Sequence, residues 1–135
     1  MVDCSASEIE GDGMIIGLNH ANVVSADMAQ AARFYNRLGF EVGFRPEGFP
    51  DPGMWMYQNG KPLVHINPRK EEDQGPIHHF AFDVRGSVDE VGRWLWARGL
   101  EPEIWDAIPG AHRAMYVQGA AGEKIEFVLV DVPIL

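Results

Sequence analysis

The sequence repeats itself at an offset of about 60 residues. Asp27 and Ser87, each placed to start a helix, are 60 apart, as are Gly39 and Gly99, and Gln58 and Gln118. His20 and His79 are 59 apart, and His65 and Glu126 are 61 apart. Self-similarity at a fixed period means one structural unit used twice. A unit of about 55 residues is marginal on its own, so the two copies must pack on each other.

Each copy reads β-α-β-β-β, which makes the chain α+β. In the first copy, an Ile- and Val-rich strand runs from Met14 to Val24. Asp27, with Gln30 three residues on, has the pattern of a helix start. Ala31, Phe34, Tyr35 and Leu38 fall at i, i+3, i+4 and i+7, the spacing of a buried helical stripe. Gly39 suits a helix end, where φ turns positive. Strands follow at Phe40–Phe44, Met54–Gln58 and Leu63–Asn67, the last two joined by the hairpin pair Asn59-Gly60. The second copy has strands at Ile77–Val84, Leu100–Trp105, Ala114–Gln118 and Lys124–Val130. Its helix opens with a Ser87/Glu90 capping box, buries Val88, Val91 and Leu95, and stops at Gly99. Trp94 and Trp96 on this helix cannot both face a sheet, so one is expected at an interface. The expected organisation is a flexible leader over 1–13, a first module over 14–67, a linker over 68–76 and a second module over 77–135, within one structural domain.

Charge and cysteine content narrow the partners. A net charge of −9 with scattered arginines makes a poor nucleic-acid or anionic-membrane binder. No apolar run approaches the roughly 20 residues of a membrane span, and the acidic start is not a signal peptide, so the expectation is a soluble, cytoplasmic protein. The single Cys4 leaves neither an internal disulfide nor a cysteine-based zinc site.

The chemistry sits in four polar residues embedded in apolar strands: His20 and His65 in the first copy, His79 and Glu126 in the second. Side chains alternate along a strand. Ile125, Phe127 and Leu129 share the face that meets a helix, so Glu126 points the other way. Phe80, Phe82 and Val84 likewise leave His79 on the opposite face; His78 is the alternative, disfavoured by alternation and by the repeat offset. Three imidazoles and a carboxylate on one concave face suit one divalent first-row ion, Zn, Ni, Fe, Mn or Co. Glu126 doubles as the candidate catalytic base. Trp55, Tyr57, Trp105 and Tyr116 are candidate substrate-binding walls, and Arg45 and Arg113 are candidate partners for a substrate carboxylate. His112 reads as a loop or pocket-rim residue.

The runs His20-Ala21-Asn22-Val23 and Phe34-Tyr35-Asn36-Arg37-Leu38-Gly39-Phe40 resemble the opening of the vicinal oxygen chelate superfamily. His79-Phe80-Ala81-Phe82 resembles its second-module opening, and Gly122-Glu123-Lys124-Ile125-Glu126-Phe127 its closing strand. That superfamily includes glyoxalase I, extradiol dioxygenases, methylmalonyl-CoA epimerase, and the fosfomycin and bleomycin resistance proteins. The resemblance implies two βαβββ modules forming a curved mixed sheet around a metal-binding cleft, with helices on the outer face, and a homodimer. It places the metal ligands at His20, His65, His79 and Glu126.

Coordination counting then orders the reactions. Four protein ligands on a six-coordinate ion leave two positions, enough for a small substrate with vicinal oxygens and a lyase or isomerase reaction through a stabilised enediolate. If His65 stands aside, the remaining triad suits ring-cleaving dioxygenase chemistry with Fe(II) or Mn(II). A non-catalytic protein that sequesters a small molecule is the third alternative, and it does not need the ligand set.

Overall fold

A computed structural model describes residues 11–106 and 108–134. Cys4 and most of the expected leader lie outside the described residues. The chain forms β1 (Ile15–Ser25), α1 (Met28–Asn36), β2 (Glu41–Gly43), β3 (Met54–Gln58), β4 (Lys61–Pro68), β5 (Ile77–Val84), α2 (Val88–Trp96), β6 (Glu103–Trp105), β7 (Ala114–Gln118) and β8 (Lys124–Leu129). This is the βαβββ order twice.

The eight strands make one mixed sheet in the order β2-β3-β4-β1-β5-β8-β7-β6. The order reads the same from either edge once the modules are exchanged. In each module the first strand runs parallel to the fourth, β1 beside β4 and β5 beside β8. The two first strands, β1 and β5, pair antiparallel at the centre and join the modules. The repeat in sequence is thus a twofold repeat in space, and residues 60 apart come to symmetry-related places.

Each helix covers its own half of one face. Helix α2 buries Val91 and Leu95 against Val84, Met115, Val117, Phe127 and Leu129. Helix α1 lays Met28, Ala31, Ala32 and Tyr35 over Met56, Ile66, Met54 and Val64. The expected stripe on α1 is corrected here: Phe34 and Leu38 are about half exposed. The helix ends at Asn36, so Leu38 lies past it, and the smaller Ala32 packs where the sequence pointed to Phe34. Caps form where the sequence placed them. Asp27 accepts from the Gln30 amide, and Ser87 with Glu90 closes a reciprocal box. Gly39 and Gly99 turn the chain with φ of 91° and 75°. Trp94 packs edge-on to Phe127 and donates to Asp12, leaving Trp96 as the exposed tryptophan. No described helix is long and apolar enough to cross a membrane.

Candidate metal centre

The opposite face of the sheet is polar at its centre, and strand register decides which groups meet there. His20 on β1 pairs with Ala81 on β5, and Ala81 pairs with Glu126 on β8. His20 and Glu126 therefore flank Ala81. A methyl group is all that separates them, so their side chains converge above it. His20 Nε2 lies 3.4 Å from Glu126 Oε1, His79 Nε2 lies 2.9 Å from the same oxygen, and the two Nε2 atoms are 3.3 Å apart. Among the described residues, His20, His79 and Glu126 form the group able to hold a metal ion, and all three are buried.

The symmetry-related row reads His65 on β4, Asn22 on β1 and His79 on β5. Here Asn22 stands where Ala81 stands in the other row. Its amide donates to Asn67 Oδ1 at 2.7 Å. The structure does not bring His65 into the donor group. Its ring is sandwiched between His20 (centroids 3.7 Å apart, planes 13°) and Trp55 (4.3 Å, 14°). Its Nε2 donates to the Pro62 carbonyl at 3.0 Å. Burial, with His20 beside it, pushes His65 down to about 2, so the ring is neutral.

Local contacts prepare His20 and His79 for an ion. Asn19 is an extra residue in β1, a bulge between the Leu18–Phe82 and His20–Ala81 pairs. Its amide donates to Asp83 Oδ1 at 2.7 Å, and its own Oδ1 lies 2.6 Å from His20 Nδ1. A carboxylate only accepts, so the Asn19 amide is oriented and its oxygen faces the ring. His20 must then carry its proton on Nδ1, which frees the Nε2 lone pair at the centre. A hydrogen-bond partner on the far ring nitrogen fixes the tautomer of a ligating histidine. His79 Nδ1 lies 2.7 Å from His78 Nδ1, so His78, the alternative ligand in sequence, is the outer partner of His79. Burial raises the Glu126 pKa, while the His20 and His79 rings beside it lower it; the balance holds the carboxylate below its ordinary range. Two imidazole nitrogens and an ionised carboxylate within 3.4 Å of one another fit a divalent first-row ion.

A cavity of about 450 Å³ opens over this group. Trp55, Trp105, Tyr116, Arg45 and His112 line it, as do His65 and the three donors. Tyr57 and Arg113 do not. The Tyr57 ring covers Gly43 and its hydroxyl donates to the Phe44 carbonyl, while Arg113 Nη2 lies 3.5 Å from Asp106. Burial, with Glu126 next to it in the sheet, raises the Tyr116 phenol well above its usual value. Phe49 is a further wall: its ring stacks on Trp105 at 5.8 Å and meets Trp55 at 5.9 Å. It lies in a loop, outside any periodic pattern that points a side chain.

Two βαβββ modules sharing one sheet, with a buried His-His-Glu group beneath an aromatic cleft, define the class of protein. Residues 17–127 match the Glyoxalase/Bleomycin resistance protein/Dioxygenase superfamily, and the chain belongs to that family. Its fold is similar to methylmalonyl-CoA epimerase from Mycobacterium tuberculosis, with a TM-score of 0.72 and 20% identity over 96% of this chain and 97% of that one. It is also similar to an extradiol ring-cleaving dioxygenase from B. fuscum, with a TM-score of 0.63 and 21% identity over 87% of this chain. The match covers 33% of the dioxygenase chain, so this chain corresponds to about a third of it. At these identities the likeness is one of fold. No curated protein matches the sequence.

Proposed function

We propose that this protein is a divalent-metal-dependent enzyme acting on a small substrate with two vicinal oxygens, and that its reaction is extradiol-type ring cleavage. The observation that carries the reading is the number of converging donors. His20, His79 and Glu126 meet, while His65 is held aside by Trp55 and the Pro62 carbonyl. A two-histidine, one-carboxylate set with open positions is the arrangement of non-haem Fe(II) oxygenases. Fe(II) or Mn(II) held by these three residues would supply the redox centre at which a catechol's adjacent oxygens and O2 are gathered. The remaining residues position and deprotonate. Trp55, Trp105 and Tyr116 present flat apolar walls for an aromatic ring, and His112 offers an imidazole outside the donor group to take the substrate's hydroxyl proton.

The second reading is a lyase or isomerase that forms an enediolate, with Glu126 as base. The observation in its favour is that, among the described residues, Glu126 is the only carboxylate lining the cavity. Against it, a carboxylate held below its ordinary range is a weak base at neutral pH. The proposal includes a homodimer, since Leu18 is 60% exposed on the joining strand β1.

The deciding experiment loads the protein with Fe(II) under anaerobic conditions, adds catechol and then air-saturated buffer. Stoichiometric O2 uptake with a ring-opened product is the expected result. Absence of O2 uptake with catechols, together with solvent-deuterium incorporation into an α-hydroxycarbonyl substrate, would replace it with the second reading.

A further inference from the structure

Two buried side-chain atoms among the described residues have no hydrogen-bond partner: Arg45 Nε and His112 Nδ1. Both residues line the cavity over the donor group. Arg45 is held firmly in place. Its guanidinium lies over the Phe49 ring at 4.4 Å, and its Nη2 donates to the Asp51 carbonyl at 3.0 Å. Gly53 makes room for it: a Cβ there would fall 2.9 Å from Arg45 Nη2 and 2.8 Å from Asn67 Nδ2. Yet no carboxylate of the described residues forms an ion pair with Arg45. The nearby Asp51 side chain is bound to Lys70 at 2.8 Å instead. A partly buried, fixed and unpaired guanidinium is costly unless something else supplies the anion.

The charge count of the cavity points the same way. Among the described residues, Arg45 is the only lysine or arginine on its wall, and Glu126 the only acid. A divalent ion on two neutral imidazoles and Glu126 leaves one positive charge, and Arg45 adds a second. A neutral catechol that loses one proton balances only the first.

Resting on the metal-centre reading above, we propose that the substrate is an acid: a small aromatic compound with vicinal oxygens at one end and a carboxylate at the other, held by Arg45. Arginine suits this role because its planar fork pairs with a carboxylate in two parallel hydrogen bonds. Phe49 and Trp105, stacked beside it, would cover the ring between the two ends.

The test measures binding by calorimetry to Zn(II)-loaded protein, which cannot turn over. The ligands are catechol, 2,3-dihydroxybenzoate and 3,4-dihydroxybenzoate; benzoate is titrated separately into metal-free protein. At least one dihydroxybenzoate is expected to bind about 10- to 100-fold more tightly than catechol, the range of a charge-assisted hydrogen bond. Arg45→Gln is expected to bring that ratio near one, and Arg45→Lys to restore part of it, which separates lost charge from lost fold. Equal affinity for catechol and both acids, or a ratio unmoved by Arg45→Gln, overturns the proposal and leaves the metal-centre reading standing. Failure of catechol and both acids to bind Zn(II)-loaded protein overturns the ring-cleavage reading. Arg45-dependent benzoate binding then upholds the carboxylate site by itself, and its absence overturns that too.

Discussion

Ala81 has no side chain beyond Cβ, and the donor group depends on that. It is fully buried between His20 and Glu126 in the sheet, so any larger residue would occupy the space in which Nε2 and Oε1 meet. Ala81→Val is expected to weaken Zn(II) binding at least about tenfold, comparable to losing an outer-shell partner. Competition with a chromophoric chelator measures it, and unchanged affinity would refute the role given to Ala81. His65 predicts the opposite pattern. His65→Ala is expected to keep stoichiometric metal, while His79→Ala loses it; metal analysis of the purified variants compares them directly. His65 also marks the acid stability of the metal-free protein. Its folded value, about 2, lies below the 6.5 of a free histidine, so as pH falls below 6.5 the unfolded chain takes the proton first. Stability then declines towards pH 2, with a contribution from this ring of up to about 1.4 kcal/mol per pH unit. His65→Gln is expected to flatten that limb in urea titrations at pH 6.5, 5.5 and 4.5. The sequence placed all four residues on the cleft face, because alternation and the repeat speak to direction. It was silent on what stands between them. Asn22 and Ala81 occupy equivalent positions, and the larger Asn22 stands between His65 and His79 in the register where only a methyl group stands between His20 and Glu126.

At the level of elements, β1 departs from regular alternation beside the donor group. The bulge at Asn19 sets it beside His20, within reach of both the ring and Asp83 on the neighbouring strand. Asn19→Ala is expected to lower metal affinity about 10-fold, as loss of an outer-shell hydrogen bond does. Asp83→Ala should do the same, and Asp83→Asn, which keeps an acceptor oxygen, should recover most of it. Equal losses in both Asp83 variants would mean that the carboxylate acts through charge rather than through orientation. Helices, the hairpin and the regular strands β3 and β7 were legible, because capping residues, the Asn59-Gly60 turn and period-two alternation are local signals. The bulge was not, since an inserted residue shows only against its partner strand. The α1 stripe misled for a related reason. Two sets of apolar residues lie on that helix, and packing against Met56 and Ile66 selects the one through Ala32.

At the level of the whole molecule, joining two modules through β1 and β5 creates both a cleft and a bare strip. On the cleft side, the seam brings His20 from one module to His79 and Glu126 from the other, so the donor group exists only when the halves are docked. On the helix side, α1 and α2 each cover their own module's strands, and the seam between them shows apolar side chains. Leu18, paired with Phe82, is 60% exposed, and Phe80 on β5 is 36% exposed. Exposed apolar surface of this kind at the centre of a sheet is characteristic of a contact between subunits. A second copy related by a twofold axis would present the same strip to it, as self-complementary interfaces require. Light scattering on a sizing column is therefore expected to give twice the 15.0 kDa chain mass. The double variant Leu18→Glu, Phe80→Glu should run as a monomer that still binds Zn(II), because both substitutions lie on the face opposite the donor group. A wild-type monomer would remove the dimer from the proposal. A double variant that loses metal together with its partner would instead show that dimerisation holds the two modules, and with them the centre, in register.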